Sequence, residues 1–203
     1  TLSERGFLER MGNGNYRLGL VLVELGRTAL NSSRDLRLLA FDSMKRIAEA
    51  VNESVTLMVR YDRNAVCVEN IEGTYPLRVM MERGRSQPLH AGASSKMLLA
   101  SCPESQWEHL VELPLKAYTD HTITDYAQLV NELYQIRAQG YATSTGEIDA
   151  GAFAVAVPLA KYNGEVVAAL RIETPSSRMK PDTLEYYVTL LKHEAALIRE
   201  QLV

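Results

Sequence analysis

Two full charges close the otherwise apolar stretch "VVAALRIETP", Val166–Pro175. β-Branched and apolar residues at nearly every position make it a β-strand. Side chains alternate between the two faces of a strand. Val166, Ala168, Leu170 and Ile172 therefore share one face, and Val167, Ala169, Arg171 and Glu173 share the other. A guanidinium is a planar fork of donors that matches a carboxylate. A carboxylate beside it accepts from hydroxyls or an ammonium. Such a pair can recognise a small organic acid with polar substituents. It can also be a surface ion pair on a wet sheet face, which antiparallel sheets often have, or two side chains that only satisfy each other.

His90, Ser94, Ser95 and Lys96 place a base, hydroxyls and an amine close together. Their spacing matches neither a phosphate-binding Walker loop nor a Ser-x-x-Lys pair, and His90 reads as a structural histidine. His109, His121 and His193 are scattered, without metal-ligand spacing. The chain is therefore not read as an enzyme, and no catalytic residue, metal or cofactor is expected. Cys67 and Cys102 are too few for a disulfide framework. They read as packing thiols in a reducing, cytoplasmic compartment.

At 203 residues the chain holds one good-sized domain, or one domain and a fragment of another. Its 46% hydrophobic and 23% charged residues are those of an ordinary globular protein. A net charge of −3 argues against a nucleic-acid surface spread over the whole chain, while leaving room for a local basic patch. No apolar run approaches the roughly 18 residues that span a membrane, and no signal-peptide pattern is present. No membrane partner is expected.

The elements that must position these residues follow from periodicity. Phe7–Arg10 and Tyr16–Leu18 are short strands around the turn signal "GNGN". Leu20–Leu30 has helical spacing. Ser33 can cap a second helix, Arg34–Val51, with Asp35 favourable in its first turn and a stripe of Leu36, Leu39, Ala40, Ser43, Met44, Ile47 and Val51. Strands are expected at Val55–Tyr61, Ala65–Ile71, Leu77–Met81, Tyr141–Thr145 and Phe153–Ala160, before the opening strand. "ERGRSQP" reads as a loop. Helices are expected at Ala91–Ala100, from Pro103 to about Leu113, at Asp125–Gln139 before Gly140, and from Pro181 onward. The last carries Leu184, Tyr187, Val188, Leu191, His193, Ala195, Leu197 and Ile198 on or near its buried side. The sum is an α+β fold with an antiparallel sheet of about six strands flanked by helices.

Asn163-Gly164 is the most favoured two-residue hairpin turn, and it sets a register. Tyr162 then faces Glu165, Pro158 faces Ala169, Ala156 faces Arg171 and Ala154 faces Glu173. Val157–Leu170 and Val155–Ile172 pair on the opposite, core-covering face. Small residues opposite long charged ones leave room for water or a molecule. The apolar company of Val167, Ala169, Ala154 and Ala156 favours a binding site. "GYATSTGEIDAGAFAVAVPLA" feeds the same hairpin, with Thr143, Ser144, Thr145, Glu147 and Asp149 near the sheet edge. "LHAGASSK" puts small residues at a helix N-terminus, where backbone N–H groups favour an anion.

Taken together, "RGFLER" with "YRLGL", "PLHAGASSKMLLA" and "GYATSTGEIDAGAFAVAVPL" resemble the isocitrate-lyase-regulator (IclR) family of bacterial transcription regulators, in order and spacing along the whole chain. The resemblance implies a winged helix-turn-helix, a linker helix, and an effector domain with a GAF/PAS-like (profilin-like) sheet. Residues 1–18 would be the C-terminal remnant of the winged domain, 19–33 the linker helix and 34–203 the effector-binding domain. The abrupt start at "TLSERG", with Gly6 suited to a helix C-cap, would be the tail of a recognition helix cut away upstream. It further implies a homodimer or homotetramer, operator DNA and a small-molecule carboxylate effector as partners. Arg5, Arg10 and Arg17 would touch phosphates weakly. The effector's polar wall would fall on the backbone N–H groups of Ala93 and Ser94 and on Ser144, Ala154, Arg171 and Glu173, and its apolar wall near Val79, Gln87 and Ala152. Some relatives carry an acidic group where this chain has Ser144, and a thiol and two hydroxyls where it has Ala154, Arg171 and Glu173. That disfavours a glyoxylate- or pyruvate-type ligand and points to a hydroxylated or oxo acid such as a sugar acid, with an aromatic acid second. The competing expectation is a GAF-like sensor module of a signalling protein without its own DNA binding.

Overall fold

The computed structural model describes residues 1–32 and 34–202. Ser33, the expected helix cap, lies outside the described residues, as do the side chains of Leu30, Asn31 and Asp35. The chain divides into two compact units, Thr1–Leu38 and Leu39–Val203.

In the first unit, β1 (Leu8–Arg10) pairs antiparallel with β2 (Tyr16–Leu18), setting Leu8 opposite Leu18. The turn between them is the expected "GNGN". Arg17 does not project freely from this ribbon, because its Nε donates to Glu9 Oε2 at 2.8 Å. α1 covers Val21–Ser32.

The second unit begins within α2 (Arg34–Val51), whose Ala40, Ser43, Met44, Ile47 and Val51 are buried at the expected helical spacing. A six-stranded sheet follows, built from β3 (Ser54–Tyr61), β4 (Asn64–Ile71), β5 (Ser86–Pro88), β6 (Ala142–Thr145), β7 (Ala152–Ala160) and β8 (Val166–Pro175). The spatial order is β5-β4-β3-β8-β7-β6, and every neighbouring pair is antiparallel. β8, the strand bearing both charges, therefore lies in the middle, and β6 is an edge.

The β7–β8 register is the expected one from Leu159↔Ala168 inward: Ala156 faces Arg171 and Ala154 faces Glu173. The turn differs. Gly164 N–H donates to Lys161 O at 3.0 Å, and Lys161 N–H to Glu165 O at 2.9 Å. The loop is thus three residues, Tyr162-Asn163-Gly164, with Gly164 at φ +86° as a bulge glycine. Tyr162 consequently does not face Glu165. A shift between Leu159 and Ala160 passes over Val167 and removes the extra residue from the count. A three-residue loop and a one-residue bulge together give the register of a two-residue loop.

Leu77–Met81 is not a strand. Cys67 N–H donates to Arg85 O, and Gly84 N–H to Cys67 O, so residues 84–88 occupy the free edge of β4. Part of the expected loop "ERGRSQP" is accordingly β5. The displaced segment is held instead by Arg178, which donates to Leu77 O at 2.9 Å while making a bidentate pair with the buried Glu53.

Helices cover both faces of the sheet. α3 (Ala93–Ala100) lies on β3, β7 and β8, with α5 (Tyr126–Gln139) packed against it. Ala142, Ala156 and Ala169 are completely buried in this core with Met97, Leu98, Leu99, Leu129 and Leu133. These alanines let α3 approach closely, so most of the space opposite the long charged side chains is filled by a helix. On the other face α6 (Pro181–Arg199) crosses β7 and β8 over Val155, Val157, Leu170 and Ile172. His193 of α6 is exposed, contrary to expectation. The next residue, Glu194, is 4% exposed and takes a bidentate bond from Arg46 of α2 at 2.6–3.1 Å. Pro103 opens only a short turn, Glu104–Gln106, followed by α4 (Trp107–Leu110), which ends before Leu113.

α5 starts where expected. The Asp125 carboxylate accepts from Gln128 N–H at 2.7 Å, and Gly140 ends the helix at φ +73°. Asp125→Ala is expected to lower stability by about 1 kcal/mol, read as a shift of the urea midpoint with an unchanged slope.

Candidate ligand-binding site

The strand registers lay the site out in rows. One row across the sheet reads Ser144, Ala154, Glu173, Ser54; the next reads Ala142, Ala156, Arg171, Thr56, Asn70. Both rows point to the α3 side. The α3 helix covers the second row at Ala142 and Ala156, which are fully buried, while Ala154 remains half-buried. A small, partly open cleft of about 30 Å³ is left over Ala154, Glu173 and the head of Arg171.

The face carrying Arg171 and Glu173 is not a wet surface, since the two residues are 2% and 4% exposed. They form an ion pair through Arg171 Nη2 and Glu173 Oε1. Arg171 Nε also donates to Thr56 Oγ1 at 2.9 Å. Its remaining contacts are weak: Nη1 to Gln87 Oε1 at 3.4 Å, and Nη2 to the Met81 thioether at 3.5 Å. Burial pulls the guanidinium down to about 10, which still leaves it charged near neutral pH. Cys67 shares this core, and burial pushes its thiol up to about 11.

Of the residues expected from sequence, Val79, Gln87, Ala93, Ser144, Ala152, Ala154, Arg171 and Glu173 line the cleft together. Ser94 does not line it; it is fully buried, and among the described residues its hydroxyl has no hydrogen-bond partner. Sequence reasoning missed Met81, Ile148 and Phe153, which complete the apolar wall. Met81 comes from the segment expected as a strand, and no periodicity reports which way an irregular segment faces.

The N-terminus of α3 does not simply await an anion. Gly92 N–H, at the start of the helix, donates to Glu147 Oε2 at 2.9 Å. Glu147 Oε1 in turn binds Lys96 Nζ at 2.6 Å, and Lys96 also binds Glu132 of α5 at 2.9 Å. Every residue of α3 is buried, so a lysine there requires partners. That requirement was readable in "AGASSKMLLA", where one cation interrupts a run of small and apolar residues. Thr119 and Thr122 clamp the same loop by donating to Gly146 O at 2.5 Å and Glu147 O at 2.6 Å. Glu147 is thus both cleft wall and helix anchor.

The remaining chemical candidates do not converge. His90 is buried with Nε2 3.0 Å from Lys116 O. Ser95 is buried, with Oγ 3.5 Å from Gln87. Among the described residues no group of three His, Cys, Asp or Glu stands close enough to hold a metal, and no helix is long and apolar enough to cross a membrane. In the first unit Arg5 and Arg10 are exposed, while Arg17 is paired as described.

The family profile described as "Bacterial transcriptional regulator IclR C-terminal" matches residues 28–199. The chain belongs to the IclR family. It is 32% identical to the HTH-type transcriptional regulator KipR of Bacillus subtilis over 203 residues, all of this chain and 81% of KipR. It is 31% identical to the HTH-type transcriptional regulator KdgR of Escherichia coli, again over the whole chain and 77% of that protein. Among solved structures, the IclR of Thermotoga maritima superposes with a TM-score of 0.81 at 31% identity, covering 99% of this chain and 81% of the other. An IclR homologue of Microbacterium hydrocarbonoxydans, crystallised in complex with 4-hydroxybenzoate, superposes at 0.79 and 30% identity, covering 99% and 81%. These IclR relatives are transcriptional regulators, and the α+β fold of this chain is theirs.

Lys96→Met strands two carboxylates in or beside the core of this IclR domain. The expected loss is about 3–5 kcal/mol, with part recovered in Lys96→Met/Glu147→Gln, measured by denaturant unfolding. Native Cys67 is expected to resist iodoacetamide at about pH 8, where roughly one thiol in a thousand is ionised at a pKa near 11. It should react once the protein unfolds, as followed by intact mass.

Proposed function

We propose that this chain is the effector-responsive part of a DNA-binding regulator, and that the cleft over Arg171 binds a small hydroxylated or oxo carboxylic acid. The observation that carries the reading is the state of Arg171: a charged fork, 2% exposed, facing an open cleft with two of its contacts at 3.4–3.5 Å. A buried charge calls for strong partners, and a ligand carboxylate supplies a stronger one than an amide oxygen and a thioether. The homologue crystallised with 4-hydroxybenzoate supports a carboxylate as ligand class for this scaffold. Ala152, Ala154, Val79 and Phe153 leave an apolar flank for the carbon frame, and Ser144 offers a hydroxyl.

Arg171 orients the acid, and Thr56 keeps the guanidinium in place. The loop at Gly146–Asp149, pinned by Thr119, Thr122 and Lys96, forms the opposite wall. Effector binding then favours one arrangement of domains and subunits over another, by as much as its affinities for the two arrangements differ. In this proposal residues 1–18 are the wing of a winged helix-turn-helix, 19–33 the linker helix and 34–203 the sensor. The regulator works as a homodimer or homotetramer on operator DNA, with Arg5 and Arg10 against phosphates. The names of the relatives, HTH-type regulators matched over the whole chain, favour this over a sensor module without DNA binding.

A thermal-shift panel of sugar acids, other hydroxy and oxo acids, and aromatic acids tests the proposal. An acid at 100 times its dissociation constant adds about 2.7 kcal/mol, roughly 5–10 °C for a domain of this size. Arg171→Lys keeps the charge and loses the fork, and is expected to weaken the acid at least about tenfold. A shift unchanged in that variant would remove Arg171 from the site. Because the guanidinium holds its proton until about 10, affinity for an acid already ionised at neutral pH should stay level between about pH 7 and pH 9. It should fall as the pH passes 10, measured by titration calorimetry.

A further inference from the structure

We propose that Glu173 sets the ligand's chemical class: the acid carries a hydrogen-bond donor, a hydroxyl or an ammonium, on the carbon next to its carboxylate, and its 2-oxo counterpart is rejected. The inference rests on the reading of the cleft as an acid site and narrows it.

What Glu173 lacks defines what the ligand brings. The residue is 4% exposed and lines the cleft. An ionised carboxylate offers about four acceptor sites and no donor. Among the described residues its one partner is Arg171. A buried polar group ordinarily has at least one partner, and the acceptor capacity of Glu173 that Arg171 does not use is at the cleft that Glu173 lines. The neighbours in its row do not fill it. Ala154 has no polar side chain, and among the described residues the Ser54 hydroxyl, which accepts from Gly73 N–H at 3.3 Å, makes no hydrogen bond to Glu173. Nor do the cations nearby supply a donor. Lys96 is engaged by Glu147 and Glu132, and Arg85 lies against Asp149 at 3.7 Å, on the outside.

The position of the missing donor follows from the strand. Arg171 and Glu173 are two residues apart on one face, about 7 Å between Cα atoms, and their heads already touch. A ligand whose carboxylate meets the guanidinium therefore meets Glu173 with the substituent on the adjacent carbon. A 2-hydroxyl or 2-ammonium group donates to Glu173. A 2-oxo group presents lone pairs to lone pairs. The rest of the wall works in the same direction, since Glu147 and Asp149 also face the cleft and suit further hydroxyls better than further anionic or acceptor groups.

The test is titration calorimetry on the chain with two matched pairs, D-gluconate against 2-oxo-D-gluconate and D-glycerate against hydroxypyruvate. The wild type, Glu173→Gln and Arg171→Lys are measured side by side. Loss of one hydrogen bond to a charged group predicts that the hydroxy member of a pair binds about ten- to a hundredfold tighter. An amide in place of the carboxylate would offer both a donor and an acceptor, so Glu173→Gln should narrow or reverse the preference. Equal or tighter binding of the oxo acids by the wild type, with Arg171→Lys still weakening both, overturns this inference and leaves the acid site standing. A hydroxy preference that survives Glu173→Gln unchanged overturns the assignment to Glu173. Absence of binding by every acid overturns the acid site and this inference with it. The wild-type comparison stands by itself if a variant fails to fold.

Discussion

A guanidinium set into the covered face of a sheet has to be neutralised where it stands. Arg171 sits on the central strand β8 beside α3, 2% exposed at the floor of the cleft. Much of the local architecture answers that constraint. Thr56 holds Nε from the neighbouring strand, Glu173 lies alongside, and the irregular segment bearing Met81 folds over the top. Removing such a pair from water is expensive, and a hydrophobic pair of equal volume would often be as stable. The charges are thus more easily explained by recognition than by stability. A core that needed only packing would have continued the alanines and valines of β7.

The same cleft depends on a second buried charge cluster. Lys96, Glu147 and Glu132 join the α3 N-terminus, the loop after β6 and the α5 helix. In this cluster the helix dipole, the lysine and the backbone N–H of Gly92 all favour one carboxylate in one place. The anion expected at that helix end from sequence is therefore the protein's own.

The legible parts of the sequence were those governed by local rules. The period-2 pattern, Asp125 and Gly140 at the ends of α5, and the α2 stripe each follow from one stretch of chain. The β7–β8 register was also legible, although by two departures that cancel, a longer turn and a bulge. What could not be read was competition between segments. Residues 77–81 and 84–88 both have access to the edge of β4, and only the folded chain shows that the second takes it. Likewise, alanines opposite charges imply space, but whether a helix or a ligand fills it depends on how closely α3 approaches. Ala156 turned out to face the helix and Ala154 the cleft. His193 and Glu194 illustrate a third limit: adjacent positions on α6 differ in burial because Arg46, from a distant part of the chain, selects one of them.

The position of β6 at the rim of the sheet has a further consequence. One wall of the cleft is built on strands bonded on both sides, where a change of residue must be accommodated by α3, β3 and β7 at once. The other wall, Ser144 and the loop that follows, hangs from an edge strand and a handful of side-chain clamps. Substitutions there disturb few neighbours. The site thus has a fixed half and an adjustable half, and a lineage could retune what the cleft admits by altering the rim while the charged floor stays as it is.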